Sequence, residues 1–382
     1  MPSNDSNVPS QEGDLIRQEP AAPAGPVASD APPVTRWRQL NWYKVPLFLI
    51  SLVLFVLAIT LMKDAARDLA PFVRDRLQIT NFADALGFGW IFSYLIMSGS
   101  PVAATGLAFL DAGIVDRLGA YGMIVGSRMG ASFIVLFIGF LYVLRGRNRS
   151  TSLSMGLLSL SVAGSIQLLA LGIGIYLLRS RLVDHWQMDT GAVLTSVMDQ
   201  FLDPVSTAVN GWFPGWIVFL IGLGIIMTSF SLFDRSLPEM SVKGEVSTIS
   251  QFVYRPWVMF LLGSAITVIS MSVSISLGIL VPLSQRGLVR RENIIPYIMG
   301  ANITTFIDTL LAAVLLQNAE AFTVVMAGML SLFVVSALIL LVSYNRYENA
   351  LLDFVEWTIR DNRNLSLFMI AIFAVPLLLL LL

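Results

Sequence analysis

Apolar stretches long enough to leave water altogether recur along this chain, and they restrict its fold more than any other feature. They run Val45–Met62, Leu86–Phe109, Gly119–Leu144, Leu153–Leu178, Trp212–Phe233, Val258–Leu283, Ile294–Leu316, Phe322–Val342 and Leu365–Leu382. A helix needs roughly 20 apolar residues to cross a hydrocarbon core. The stretches are continuous and do not alternate every second residue, so helices are expected rather than a barrel. Composition agrees: of 382 residues, 56% are hydrophobic and 13% charged, against about 25% charged in soluble domains. The expected class is an all-α integral membrane protein, multi-pass, in the cell (plasma or inner) membrane, with the lipid bilayer as its partner.

Several chemistries are removed at once. There is no cysteine, hence no disulfide, thiolate metal site or cysteine catalysis. The one histidine, His185, cannot make a His-rich metal site and reads as a loop residue. A net charge of -1 argues against nucleic acid as a partner. No nucleophile–base set or metal motif appears, so neither an enzyme nor a cofactor is expected.

Residues 1–44 are rich in Pro, Ala and Ser and read as a disordered cytoplasmic tail, because they cannot bury a core. The charged segment Lys63 to Leu77 reads as lying at the interface. Residues 45–178 form a first membrane region, 179–209 an extracytoplasmic connection and 210–344 a second membrane region. Residues 345–382 read as a cytoplasmic loop and a C-terminal transmembrane helix. Asp111 and Gln285 read as helix-end residues, and Gln167 as an interhelical hydrogen bond.

The two membrane regions repeat one another. Met97–Gly126 aligns without a gap on Met271–Gly300, with identities at Met97/Met271, Ser98/Ser272, Ser100/Ser274, Gly113/Gly287, Val115/Val289, Arg117/Arg291, Ile124/Ile298 and Gly126/Gly300. Duplicated halves with interrupted helices at matching positions point to a transporter with its site at the repeat interface. Basic residues mark the cytoplasmic side, here Arg145, Arg147 and Arg149 in one loop and Arg286, Arg290 and Arg291 in another. Both loops face the cytoplasm if each Ser-containing run is a re-entrant hairpin. The expected fold is therefore two inverted repeats with re-entrant hairpins and full transmembrane helices, the N-terminus inside.

These motifs resemble the type II sodium/phosphate cotransporter family. That family carries a Q-S-S-S stretch at each hairpin tip and, about thirty residues on, a motif close to G-A-N-I-G-T-T. The first falls here on Met97-Ser98-Gly99-Ser100 and Met271-Ser272-Val273-Ser274. The second falls on Gly126-Ser127-Arg128-Met129-Gly130-Ala131-Ser132 and Gly300-Ala301-Asn302-Ile303-Thr304-Thr305. The resemblance covers about residues 50 to 345 and implies the inverted-repeat fold, phosphate transport and sodium coupling. The chain departs from the pattern: both Gln positions are Met, Arg128 replaces Asn, Asp308 stands where Thr is usual, and a C-terminal PhoU-like domain is not expected.

From the residues themselves, Ser98, Ser100, Ser272 and Ser274 offer hydroxyls to an oxyanion, or are small residues that let helices pack closely. Asn302, Thr304 and Thr305 could coordinate an ion or hold helices together. Arg128 lies mid-helix, where it needs a partner, and its guanidinium suits a carboxylate or phosphate. Asp308 is the matching acid, and the two are expected to pair across the repeat interface. The expected function is secondary transport of a small inorganic anion, phosphate favoured by the resemblance, by alternating access. The alternative is a non-transporting scaffold or regulatory subunit that kept the fold. The coupling ion is sodium by resemblance, a proton or none from Arg128 and Asp308. A homo-oligomer stays open.

Overall fold

The computed structural model describes residues 43–146, 149–186, 202–236, 255–278, 280 and 291–382. Among them every regular element is helical, as a backbone without water to bond to requires. Seven helices are long and apolar enough to cross a membrane, which fits a multi-pass membrane protein. They are Lys44–Arg76, Arg117–Leu144, Ser152–Ser180, Gly215–Ser236, Arg291–Leu315, Ala319–Arg360 and Asn362–Leu379.

The first half begins with α1 (Lys44–Pro71), which a π turn prolongs over Phe72–Arg76. The segment from Lys63, expected at the interface, continues this helix without a break to Arg76. Next come α2 (Phe82–Ile96), α3 (Ser100–Asp111), α4 (Arg117–Ala131), α5 (Phe133–Leu144) and α6 (Arg149–Ser180). The second half holds α7 (Asp203–Trp212), α8 (Gly215–Ser236), α9 (Pro256–Ser270), α10 (Val273–Gly278), α11 (Arg291–Thr304), α12 (Phe306–Leu315) and α13 (Ala319–Leu338). A π turn over Ile339–Ser343 leads into α14 (Tyr344–Arg360), and α15 (Asn362–Leu379) follows.

The two Ser-containing runs are not single spans. α2 and α9 have 15 residues each, about 22 Å at 1.5 Å per residue, short of the roughly 30 Å hydrocarbon core. Each stops at a methionine in the left-handed region: Met97 has φ 58° and Met271 φ 46°. The next long runs are also interrupted at related places. α4 gives way to α5 at Ser132, and α11 to α12 at Thr305.

Close helix crossings accompany these breaks. A Cβ on Gly126 would lie 2.1 Å from the Leu86 carbonyl oxygen, and one on Gly300 would lie 2.1 Å from that of Phe260. Glycine at these crossings lets α4 meet α2, and α11 meet α9, backbone to backbone. The longest interface is between α1 and α8. It is antiparallel, with Phe48 on Phe233 at one end and Gly215 against Asp68 at the other.

Two contacts fix the ends of α13. Arg117, opening α4, reaches Glu320 in its first turn at 3.2 Å and Asp184 beyond α6 at 3.1 Å. Past its other end, the Tyr344 hydroxyl donates to the backbone oxygen of Glu292, in α11, at 3.1 Å.

Some expectations meet a different structure. The stretch after Tyr344, expected to be a loop, is α14, with Leu351, Val355 and Thr358 buried at helical spacing. Its many polar residues lie on the other face. Gln167 makes no bond through its amide nitrogen, which is buried without a partner among the described residues. Asp111 accepts from the Asn318 amide at 2.8 Å and stands 3.8 Å from Lys63. The tail to residue 42, the connection over 187–201, and Arg147, Gln285, Gly287, Val289, Arg286 and Arg290 lie outside the described residues.

Candidate functional site

Arg128 sits in the last turn of α4, just before the break at Ser132, and Asp308 in the first turn of α12, just after the break at Thr305. Each break ends one helix inside the protein, leaving backbone groups without intrahelical partners. A cation near a helix C-terminus and an anion near an N-terminus are both favoured by the helix dipole. The side chains are 2% and 1% exposed and meet at 2.8 Å between Arg128 Nη2 and Asp308 Oδ1. The structure thus brings together the two charges that the sequence expected to pair.

The pair is embedded in further bonds. Arg128 Nη2 also donates to the Thr305 carbonyl oxygen at 3.1 Å and to the Thr309 hydroxyl. Arg128 Nη1 donates to Ser100 Oγ at 3.4 Å. The Ser100 hydroxyl donates to Asp308 Oδ2, and that of Thr309 to Asp308 Oδ1 at 2.8 Å. Both carboxylate oxygens are therefore occupied. The guanidinium carbon lies 5.2 Å from the centroid of the Phe306 ring, a cation–π contact. Arg128 Nε is buried with no hydrogen-bond partner among the described residues.

A cavity of about 220 Å³ opens beside this cluster. Its wall takes Met97, Ser98, Gly99, Ser100 and Pro101 from the first break, and Met271 and Ser272 from the second. Arg128, Ala131 and Ile134 come from α4 and α5, and Met227, Phe230, Ser231 and Asp234 from α8. The corresponding stops of the two halves thus share one chamber. Ser98, Ser100, Ser272 and Arg128 line it together. Ser274 is in α10, but its side chain lies outside the described residues.

The remaining candidates are placed differently. The Thr304 hydroxyl donates back to the Gly300 carbonyl at 3.1 Å, and that of Thr305 to the Asn302 carbonyl at 2.8 Å. Thr305 joins the cluster through its carbonyl, not its hydroxyl. Asn302 is 1% exposed, and its amide nitrogen has no partner among the described residues. None of these three lines the chamber.

Sequence reasoning missed Thr309, Phe306 and Asp234. Thr309 had a signal, since it follows Asp308 directly. Asp234 had little: it ends an apolar run beside Arg235, where a charged residue reads as a helix end.

No family model, no curated protein and no solved structure matches this chain.

Proposed function

We propose that the protein is a secondary transporter of a small inorganic oxyanion, phosphate favoured by the resemblance of its motifs, working by alternating access between two inverted repeats. The observation that carries this reading is the chamber itself. The stops of both halves line it, and Arg128 stands in its wall with a buried Nε–H that has no partner among the described residues. Hydroxyls from Ser98 and Ser272 and a guanidinium are donors that suit an oxyanion, while the Ser100 hydroxyl holds Asp308. The first turn of α3 adds a helix N-terminus.

The ends of α13 support the inverted relation. Arg117 and Arg291 are equivalent, yet Arg117 meets Glu320 at the start of that helix. Glu292, beside Arg291, meets Tyr344 past its far end. Equivalent turns near opposite ends of one spanning helix fit halves related by an axis in the membrane plane. On this reading, α2 with α3, and α9 with α10, are re-entrant hairpins whose tips are Met97–Ser100 and Met271–Ser274.

The test is uptake of radiolabelled phosphate, with sulfate as competitor, into proteoliposomes of the purified protein. Uptake above empty liposomes is expected, falling about tenfold or more in Ser98→Ala and Ser272→Ala, in the range of one lost charge-assisted hydrogen bond. Uptake equal to empty liposomes would remove the reading.

One observation favours the second reading, a non-transporting scaffold. Both terminal nitrogens of Arg128 are already bonded within the protein. A phosphate-independent melting temperature together with absent uptake would decide for it.

A further inference from the structure

Among the described residues, the charges around the chamber do not cancel when every carboxylate is ionised. Arg128 and Asp308 neutralise each other at 2.8 Å. Asp234, on the α8 wall, is a third ionisable group, and among the described residues no further basic side chain lines the space. Among the described residues, no hydrogen bond or ion pair engages the Asp234 carboxylate. Its neighbours in the wall include Met227, Phe230 and Met271. With Asp234 ionised, the chamber carries one net negative charge and repels the oxyanion assigned to it.

From this juxtaposition we propose that Asp234 is the coupling-proton site: one proton binds its carboxylate as the oxyanion enters, and leaves it as the anion is released on the other side. This rests on the transport reading above. The step balances simply. A proton from water on the entry side forms an O–H bond on Asp234, the neutralised chamber accepts the anion, and the same proton passes to water on the exit side. No electrons move and no covalent bond to the anion forms.

Asp234 suits this role better than Asp308. Both oxygens of Asp308 already accept bonds, from Arg128 and Thr309 on one and Ser100 on the other. A proton there would disrupt the contact that joins α4 to α12. A metal cation is the other way to cancel the charge. However, among the described residues Asp234 belongs to no group of three or more acidic or imidazole side chains placed to hold a metal ion.

Among the described residues, few other charges face Asp234 from the packed elements. On α1, Phe48 packs tilted against Phe233, and Lys44, one turn further out, has an interaction of its own. Arg128 on α4 lies across the chamber. Asp308 on α12 borders a small void shared with Phe230 and Phe233. Arg235 follows on α8 itself and is exposed. The α3 acid, Asp111, lies at the far end of its helix, beside Lys63.

The experiment uses the full-length protein in proteoliposomes with radiolabelled phosphate, an imposed pH gradient, and a pH-sensitive dye inside. The wild type is expected to accumulate phosphate several-fold when the outside is acidic, to acidify the interior during uptake, and to ignore a sodium gradient. Asp234→Asn is expected to lose pH-driven accumulation and the dye signal, while phosphate counterflow stays above empty liposomes. That residual exchange shows that the variant is folded. Accumulation driven by sodium, or pH-driven accumulation persisting in Asp234→Asn, would overturn the proposal and leave transport standing. Phosphate movement absent from the wild type under every gradient would overturn both.

Discussion

The two halves of the molecule share their backbone plan almost position for position and differ in the chemistry they hang on it. α2 and α9 occupy equivalent residues, both stop at a methionine in the left-handed region, and Gly126 and Gly300 make the same crossing. Yet Arg128 is equivalent to Asn302, and Asp308 is equivalent to Ile134. The shared features answer steric demands that act within each half separately. The Arg128–Asp308 pair answers a demand between the halves: one buried cation needs one buried anion, not two of each. Arg128 and Asn302 nevertheless keep one trait in common, since each buries a nitrogen donor without a partner.

The largest test of this division is to remove the asymmetric charges. Arg128→Ala leaves Asp308 buried without its cation, and Asp308→Ala leaves the guanidinium alone. Each is expected to cost about 3–5 kcal/mol. The double variant should be more stable than either single one, because no uncompensated charge remains. Thermal unfolding in detergent measures all three. Additive losses would mean that the two residues act independently, which the 2.8 Å contact argues against.

The shared features offer a middle-sized test. Gly126→Ala and Gly300→Ala each place a Cβ 2.1 Å from a carbonyl oxygen of the facing helix. Separating the helices to relieve this overlap is expected to cost about 1–3 kcal/mol in either half. Gly164→Ala and Gly172→Ala, where a Cβ would meet nothing within 4 Å, serve as controls and should not lose stability, gaining up to about 1 kcal/mol from the alanine's helix preference. A large loss in only one half would show that the crossings are not equivalent.

The spans were legible because lipid demands continuous apolar length, and a single stretch states it. The breaks were legible because Ser and Gly interrupt that length twice at one spacing. The Arg128–Asp308 contact was legible from cost alone: two charges in apolar runs need each other. Less was visible where a residue's meaning depends on what packs opposite. Asp234 at the end of an apolar run looks the same whether it faces water or a chamber. The hydroxyls of Thr304 and Thr305 read as ligands, but each bonds back to its own helix, which only coordinates reveal. α14 was read as a loop because its polar residues outnumber its buried stripe at Leu351, Val355 and Thr358.

The smallest effect tests the finest point of the comparison, the methionine stops. Met97 at φ 58°, ψ 26° and Met271 at φ 46°, ψ 22° hold a conformation that costs an L-residue about 1–2 kcal/mol. Glycine adopts it freely but loses more chain entropy on folding, about 0.5–1 kcal/mol. The two terms leave Met97→Gly and Met271→Gly each between unchanged and more stable than the parent by up to about 1.5 kcal/mol on these figures. Both methionines line the chamber, so each substitution also removes apolar wall at an open surface, where the lost packing is small. Melting temperatures in detergent should rise by similar small amounts in the two variants. A rise in one and a fall in the other would mean that one methionine is held by its side-chain contacts rather than tolerated by its backbone. The two stops would then be alike in shape but not in cause.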